Sequence, residues 1–172
     1  SYLNNYKFNN KKILHFAPED CLVKLIEKQT KNTEYIKADI IQNNDIVKVD
    51  IEKIEFQNNY FDLIICSHVL EHVNDKVAIS NIKRVLKKNG EALLMFPIIE
   101  SWEKTYRNDK IIKPQERELH FEQYDHLHLF GKDIEKTLTE ENFLLKKIIP
   151  FGEETVKYGY DKGETLFIIK KL

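Results

Sequence analysis

Short apolar runs alternate along the chain with segments whose apolar residues recur at the spacing of a helix. Apolar runs of this length, bounded by polar residues, are typical of buried strands. We predict strands at 12–17, 35–38, 46–50, 61–66, 91–97, 143–150 and 164–170. The run at 61–66 (FDLIIC) is the most apolar of them, and we therefore expect it at the centre of a sheet.

Three segments carry the 3.6-residue periodicity of amphipathic helices. The first opens on residues 18–20 (PED), which suit the first turn of a helix. The others are predicted at 75–88, where Gly90 marks the end, and at 133–141. Strands that alternate with helices predict an α/β fold, with a parallel sheet covered on both faces.

The connection between the second and third predicted strands, 39–45, is too short to contain the helix that normally joins parallel strands. Either that helix has been lost or one of the two strands is wrongly assigned. We favour the loss, and therefore expect one crossover of the sheet to lack its helix.

Residues 98–130 differ from the rest of the chain. They are polar and aromatic, show no clear periodicity, and are too many for a plain connection. We predict that they form an insertion within a single domain that spans 1–172. Its aromatic residues favour a small core beneath a loop over a stacking surface for a ligand. They are Trp102, Tyr106, Phe121 and Tyr124.

Composition narrows the possible functions. At 172 residues the chain suits one domain with its own core. Its 27 basic and 28 acidic residues give a net charge of -1, without the basic stripe that binds nucleic acid. No apolar run approaches the roughly 20 residues of a membrane span. Cys21 and Cys66 lack CxxC partners, so we expect no disulfide framework, no metal site and a reducing cytoplasm.

Polar residues follow four of the predicted strands, at the edge where ligands bind in open α/β sheets. They are the segment 15–19 (HFAPE), Asp39, Asp50 and the segment 67–72 (SHVLEH). This series resembles the class I S-adenosylmethionine-dependent methyltransferases, and specifically the group whose first motif is LHFAPE. VLEH after the FD-apolar strand and the later QYDH are part of the resemblance, which covers nearly the whole chain.

The resemblance implies a Rossmann-like sheet of seven strands, mostly parallel with the last strand antiparallel. It also implies S-adenosylmethionine as the cofactor. The implied contacts are Asp39 at the ribose, Asp50 and Ile51 beside the adenine, and Ser67 and His68 at the methionine part, with Ile40 as a further cofactor contact. A carboxylate at position 39 suits the ribose, because its two acceptor oxygens face a diol.

The first motif departs from the family's usual acidic residue followed by GxGxG. The chain has five glycines, and none precedes Gly90. His15 stands where the acid usually does, and Glu19 replaces a glycine. The cofactor contacts expected from this motif are His15, Phe16, Ala17 and Glu19. The Glu19 carboxylate is expected to pair with the cofactor's ammonium group.

Methyl transfer from a sulfonium needs the acceptor held in line with the methyl group, and a hydroxyl acceptor must also lose its proton. A neutral histidine suits that step. His126 is the preferred base, and His120 is the second candidate. Asp125 or Glu122 would orient the His126 ring. Because 98–130 follows the fifth predicted strand, we expect it to cover the acceptor as a lid.

The expected function is methylation of an oxygen on a sugar or sugar nucleotide during surface-polysaccharide assembly, an acceptor that rests on the resemblance alone. Two alternatives remain open. One is methylation of a nitrogen or carbon in another small metabolite. The other is a methyltransferase-like module that binds a ligand or partner without catalysis, as the glycine-free first motif allows.

Overall fold

The computed structural model describes residues 2–30, 33–43, 45–140, 142–149 and 164–172. The strands in these residues are β1 (Lys12–Phe16), β2 (Glu34–Asp39), β3 (Val47–Lys48), β4 (Phe61–Ser67), β5 (Leu86–Met95), β6 (Tyr106–Arg107), β7 (His128–Leu129), β8 (Phe143–Ile148) and β9 (Leu166–Lys171). The α-helices are α1 (Asp20–Gln29), α2 (Asp75–Val85), α3 (Pro114–Phe121) and α4 (Ile134–Thr139).

Seven of the strands form one sheet in the order β3-β2-β1-β4-β5-β9-β8. Strands β1 to β5 are parallel to their neighbours within that group, whereas β9 is antiparallel to both β5 and β8. The predicted arrangement of seven strands with the last one antiparallel is confirmed. Strand β4 lies in the middle of the sheet and is buried along most of its length, as its strongly apolar sequence predicts.

Side chains alternate between the two faces of the sheet, and helices cover both faces. On β4, Ile64 and Cys66 belong to the core that α2 and α4 cover. Leu63 and Ile65, which point the other way, belong to the core on the side of α1, where Ile26 is buried. The apolar stripes of these helices therefore meet a sheet that is buried on both faces, as predicted.

The crossover between β2 and β3 contains no helix in its described residues, 40–43 and 45–46. Strand β3 is nevertheless a parallel partner of β2, because Ala38 pairs with Val47 and Asp39 pairs with Lys48. The expectation of a lost helix, and not of a wrongly assigned strand, is confirmed.

Helix α2 ends at Val85, earlier than predicted, and β5 begins at once with Leu86. Leu86 is already paired with Phe61 of β4. A Cβ at Gly90 would lie 2.9 Å from the Lys87 carbonyl oxygen, a contact that only glycine avoids. Gly90 therefore permits a close backbone approach inside the strand, instead of ending the helix as predicted.

Residues 98–130 contain a small core of their own, made by Ile111, Phe121 and Leu129. Strands β6 and β7 pair antiparallel, and α3 lies between them in sequence. The segment is anchored to α2 by Arg107, whose guanidinium donates to both oxygens of the buried Asp75 carboxylate at 2.6 and 2.9 Å. A bidentate pair of this kind holds the segment in one orientation.

None of the helices in the described residues is both long enough and apolar enough to cross a membrane.

Candidate active site

A cleft of 520 Å³ lies beyond the carboxyl ends of β1, β2 and β4. Its volume falls within about 300–1,000 Å³, the usual range for small-molecule sites. The predicted cofactor contacts that line it are Phe16, Ala17, Asp39, Ile40, Asp50, Ile51 and His68. A second cavity of 460 Å³ lies between α2 and α4, and no predicted site residue lines it. The predicted cofactor contacts therefore converge on the cleft at the strand ends.

Two non-glycine residues at the floor of this cleft adopt left-handed backbone conformations. Ala17 follows β1 with φ 45°, and His68 follows β4 with φ 50°. Each amide still donates to a neighbouring strand, Ala17 to Ala38 at 3.0 Å and His68 to Met95 at 2.8 Å. Such conformations cost about 1–3 kcal/mol each and concentrate at functional sites. The glycine-free first motif thus adopts a backbone turn of the kind that glycine favours.

The remaining predicted cofactor contacts, His15, Glu19 and Ser67, are hydrogen-bonded to one another. The fully buried His15 ring donates from Nε2 to Glu19 Oε2 at 2.8 Å, and its Nδ1 lies 2.8 Å from the Tyr35 hydroxyl oxygen. Burial acts to raise the pKa of Glu19, but hydrogen bonds from His15, its own amide and Ser67 outweigh burial and hold that pKa below its usual range. Glu19 is therefore a carboxylate at neutral pH.

Asp39 and Asp50 each serve as turn residues as well as cleft residues. Asp39 Oδ1 accepts from the Ile41 amide at 3.0 Å, and Asp50 Oδ1 accepts from the Glu52 amide at 2.8 Å. The second oxygen of Asp39 makes no hydrogen bond to the described part of the chain. The local turn thus orients the Asp39 carboxylate and leaves one of its oxygens for a ligand.

His68 lies in the cleft between two carboxylates. Its Nδ1 is 3.3 Å from Glu71 Oε1, and its Nε2 is 3.3 Å from Glu164 Oε1. The hydrogen bond to Glu71 and the nearby negative charges raise the pKa of His68 above its usual value, against the effect of burial. His68 therefore brings positive charge to the cleft over a wider pH range than an isolated histidine.

His126 is buried, and the backbone orients its ring. Its Nδ1 donates to the Phe121 carbonyl oxygen at 2.9 Å, so the ring is held by that carbonyl and not by the predicted Asp125 or Glu122. Asp125 instead lies 3.3 Å from Nδ1 of His72. The His72 and His126 rings meet edge to face, with centroids 4.7 Å apart. Because His72 and Asp125 line the cleft, His126 lies directly behind its wall.

His120 has a different environment. It is exposed, its Nδ1 is 2.8 Å from the Tyr106 hydroxyl oxygen, and it does not line the cleft. His128 is buried beside Phe130, and burial lowers its pKa to about 4. The structure thus places His126 behind the cleft wall, against His72, whereas His120 packs against Tyr106.

Two residues that the sequence did not single out as site residues also belong to this region. Arg117, from α3, also lines the cleft. Glu71 is 2% exposed, and its Oε1 is hydrogen-bonded to Nδ1 of His68. Glu71 belongs to the VLEH motif, so the sequence offered a signal for this position. The residues around Arg117 show no pattern that would indicate that α3 reaches the cleft.

The sheet order, the cleft at the strand ends and the acidic residue after β2 define a class I methyltransferase fold. Residues 11–94 match the family model described as the methyltransferase domain. This part of the chain is therefore similar to methyltransferase domains, and the match together with the shared fold supports S-adenosylmethionine as the cofactor.

Solved structures share this fold at low sequence identity. The YcgJ protein from Bacillus subtilis has a TM-score of 0.68 at 13% identity, covering 99% of this chain and 95% of that chain. An S-adenosylmethionine-dependent methyltransferase from Mesorhizobium loti also has a TM-score of 0.68, at 10% identity, with 99% and 95% covered.

A curated relative is similar over part of its length. An uncharacterized protein of Methanocaldococcus jannaschii is 32% identical over 97 residues, which is 52% of this chain and 43% of that protein. The chain thus spans less than half the length of this relative.

Proposed function

We propose that this protein transfers the methyl group of S-adenosylmethionine to a hydroxyl oxygen of a small polar acceptor. The observation that carries the proposal is the histidine pair at the cleft wall, where His72 lines the cleft and His126 packs against it. With Nδ1 committed to the Phe121 carbonyl, His126 keeps Nε2 available to assist removal of a proton, either directly or through a bound cation. An amine nitrogen, by contrast, can attack through its own lone pair and lose its proton afterwards.

The cleft residues fit the cofactor. The free carboxylate oxygen of Asp39 suits a ribose hydroxyl, and the ionised Glu19 lies near the floor, at the end of β1, where an ammonium group would bind. S-adenosylmethionine supplies a methyl group that its positive sulfur already activates. The residues of this chain therefore need mainly to hold acceptor and methyl group in line and to assist the loss of a proton.

The acceptor would lie beneath residues 98–130, which act as a lid in this proposal. That segment contributes Arg117 and Asp125 to the cleft, and the Arg107–Asp75 pair ties it to α2. A guanidinium pairs well with phosphate, and a carboxylate accepts hydrogen bonds from sugar hydroxyls. These groups favour a sugar nucleotide, and we assign the reaction to surface-polysaccharide assembly in the cytoplasm, where the free Cys21 and Cys66 stay reduced.

The acceptor class can be tested directly with labelled cofactor. The protein is incubated with S-adenosylmethionine carrying a ¹³C-methyl group and a panel of sugar nucleotides, and the products are followed by NMR. The ¹³C shift of the new methyl group distinguishes attachment to oxygen, nitrogen and carbon. We expect an O-methyl signal on a sugar nucleotide. An N- or C-methyl product, or cofactor binding by calorimetry without any product from metabolite extracts, would contradict the proposal.

Glu19→Gln is expected to weaken S-adenosylmethionine binding by about tenfold, because a charge-assisted pair with the ammonium group is lost. The free protein should also lose about 1 kcal/mol of unfolding free energy at pH 7, since the carboxylate accepts from His15 and remains partly exposed. Calorimetry and thermal melting measure the two effects separately.

The pH dependence of melting provides an internal control for the Glu19 prediction. Its pKa is lower in the folded state than in the unfolded chain, so its contribution to stability is present above the unfolded value of about 4.3 and is lost as pH falls. The stability difference between wild type and Glu19→Gln should therefore shrink towards pH 3. Unchanged cofactor affinity with lowered stability would make Glu19 a purely structural residue.

A further inference from the structure

Glu71, His72 and His126 converge behind the wall of the cleft. Each offers one potential ligand atom, and the three atoms lie within 4.8 Å of one another. Glu71 and His72 come from the short 3₁₀ turn Leu70–His72 after β4, and His126 comes from the segment 98–130. The Leu127 amide donates to the Glu71 carbonyl at 2.9 Å, which holds the two parts of the cluster together.

Glu71 has an oxygen that the rest of the described chain does not use. The residue is 2% exposed, and its Oε1 is 3.3 Å from His68 Nδ1. Its Oε2 is buried without a hydrogen-bond partner among the described residues. A buried carboxylate oxygen without a hydrogen-bond partner lowers the stability of the fold, and a bound cation would offset this loss.

Both rings of the cluster are oriented through Nδ1. His126 Nδ1 donates to the Phe121 carbonyl at 2.9 Å, and His72 Nδ1 lies 3.3 Å from the Asp125 carboxylate. In each ring Nε2 therefore remains for another partner. Histidine ligands of metals are commonly held in this way, with the second nitrogen bonded to a carbonyl or a carboxylate.

We propose that Glu71, His72 and His126 bind a divalent transition-metal ion such as Zn²⁺ or Mn²⁺. This departs from the sequence-based expectation that the chain has no metal site. Two imidazoles and one carboxylate suit such ions better than Mg²⁺ or Ca²⁺, which prefer oxygen ligands. Three protein ligands also leave coordination positions open for a substrate oxygen.

The role of the ion rests on the proposed O-methylation. His72 lies in the cleft wall, so an ion at this cluster would adjoin the acceptor. The acceptor oxygen would coordinate the ion and release its proton to water. That oxygen would then bond to the methyl carbon as the carbon–sulfur bond of the cofactor breaks. His126 would act as a ligand in this scheme, and not as the base.

Metal binding is tested on the whole chain without cofactor or acceptor. Protein stripped with a chelator is titrated with Co²⁺, whose visible absorption reports coordination by nitrogen and oxygen, and Zn²⁺ is added to compete. We expect one Co²⁺ per chain, displaced by Zn²⁺. Glu71→Gln should weaken binding at least tenfold, whereas Glu55→Gln, an exposed carboxylate paired with Lys53, should leave it unchanged.

A second variant, His72→Asn, covers the case in which Glu71→Gln fails to fold, since His72 is only partly buried. Equal Co²⁺ binding by wild type and Glu71→Gln would mean that ions bind to other histidines, and would overturn the proposal, as would absence of binding. Calorimetry with S-adenosylmethionine on the same stripped protein separates the two proposals. Cofactor binding without metal binding rejects the ion alone, and metal binding without cofactor binding rejects the proposed function.

Discussion

His126→Asn is expected to lower the rate of methyl transfer by about 10²–10⁴-fold, the usual contribution of a group that assists proton removal. The affinity for S-adenosylmethionine should barely change, because the cleft contacts expected for the cofactor come from the ends of β1, β2 and β4. In the wild type, Nδ1 of His126 donates to the Phe121 carbonyl oxygen, and Nε2 is available for a proton or a cation. The variant removes this Nε2 atom. Single-turnover kinetics with the identified acceptor measures the chemical step.

His120→Asn is the informative comparison for this prediction. Both histidines lie in 98–130 and both were candidates from sequence, but His120 is exposed, bonded to Tyr106 and outside the cleft. We expect His120→Asn to retain nearly full turnover. If instead His120→Asn loses activity and His126→Asn keeps it, the acceptor lies elsewhere and the assignment of the cleft wall is wrong.

The sheet was predictable because the apolar residues of each strand are enough to indicate a buried strand. Residues 63–66 within β4 are all apolar because helices cover both faces of the strand, and that pattern needs no tertiary information to recognise. Helix α3 is the opposite case. It buries only Phe121 among its eight residues, so it has no apolar stripe, and periodicity could not reveal it.

The residues of the candidate site also include some that the sequence could locate and some that it could not. Asp39 ends β2 and Asp50 lies two residues after β3, so their place at the cleft depends mainly on the sheet and could be predicted from the sequence. Arg117 reaches the cleft from α3, and Glu71 meets His126 because the Leu127 amide joins distant segments. Contacts of this kind depend on how 98–130 docks on the sheet, which no local pattern specifies.

Asp39→Ala is expected to weaken S-adenosylmethionine binding by about 1.5–3 kcal/mol, or roughly 10- to 150-fold, the range for hydrogen bonds to a charged group. The reason is the free carboxylate oxygen at the end of β2, which we propose binds the ribose hydroxyls. Asp39→Asn keeps an oxygen for the Ile41 amide, so it separates loss of charge from loss of the turn. Asp45→Asn, an exposed carboxylate outside the cleft, is the matched control.

A thermodynamic cycle with a modified ligand tests the contact itself. S-adenosylhomocysteine and its 2′-deoxy form are titrated by calorimetry into wild type and Asp39→Ala. If Asp39 bonds to the ribose, removal of the 2′-hydroxyl should lower the affinity of the wild type much more than that of the variant. The reason is that Asp39→Ala has already removed the same hydrogen bond. Equal penalties in both proteins would show that the carboxylate and the hydroxyl act independently. Asp39 would then serve only the turn after β2, where its Oδ1 already accepts from Ile41.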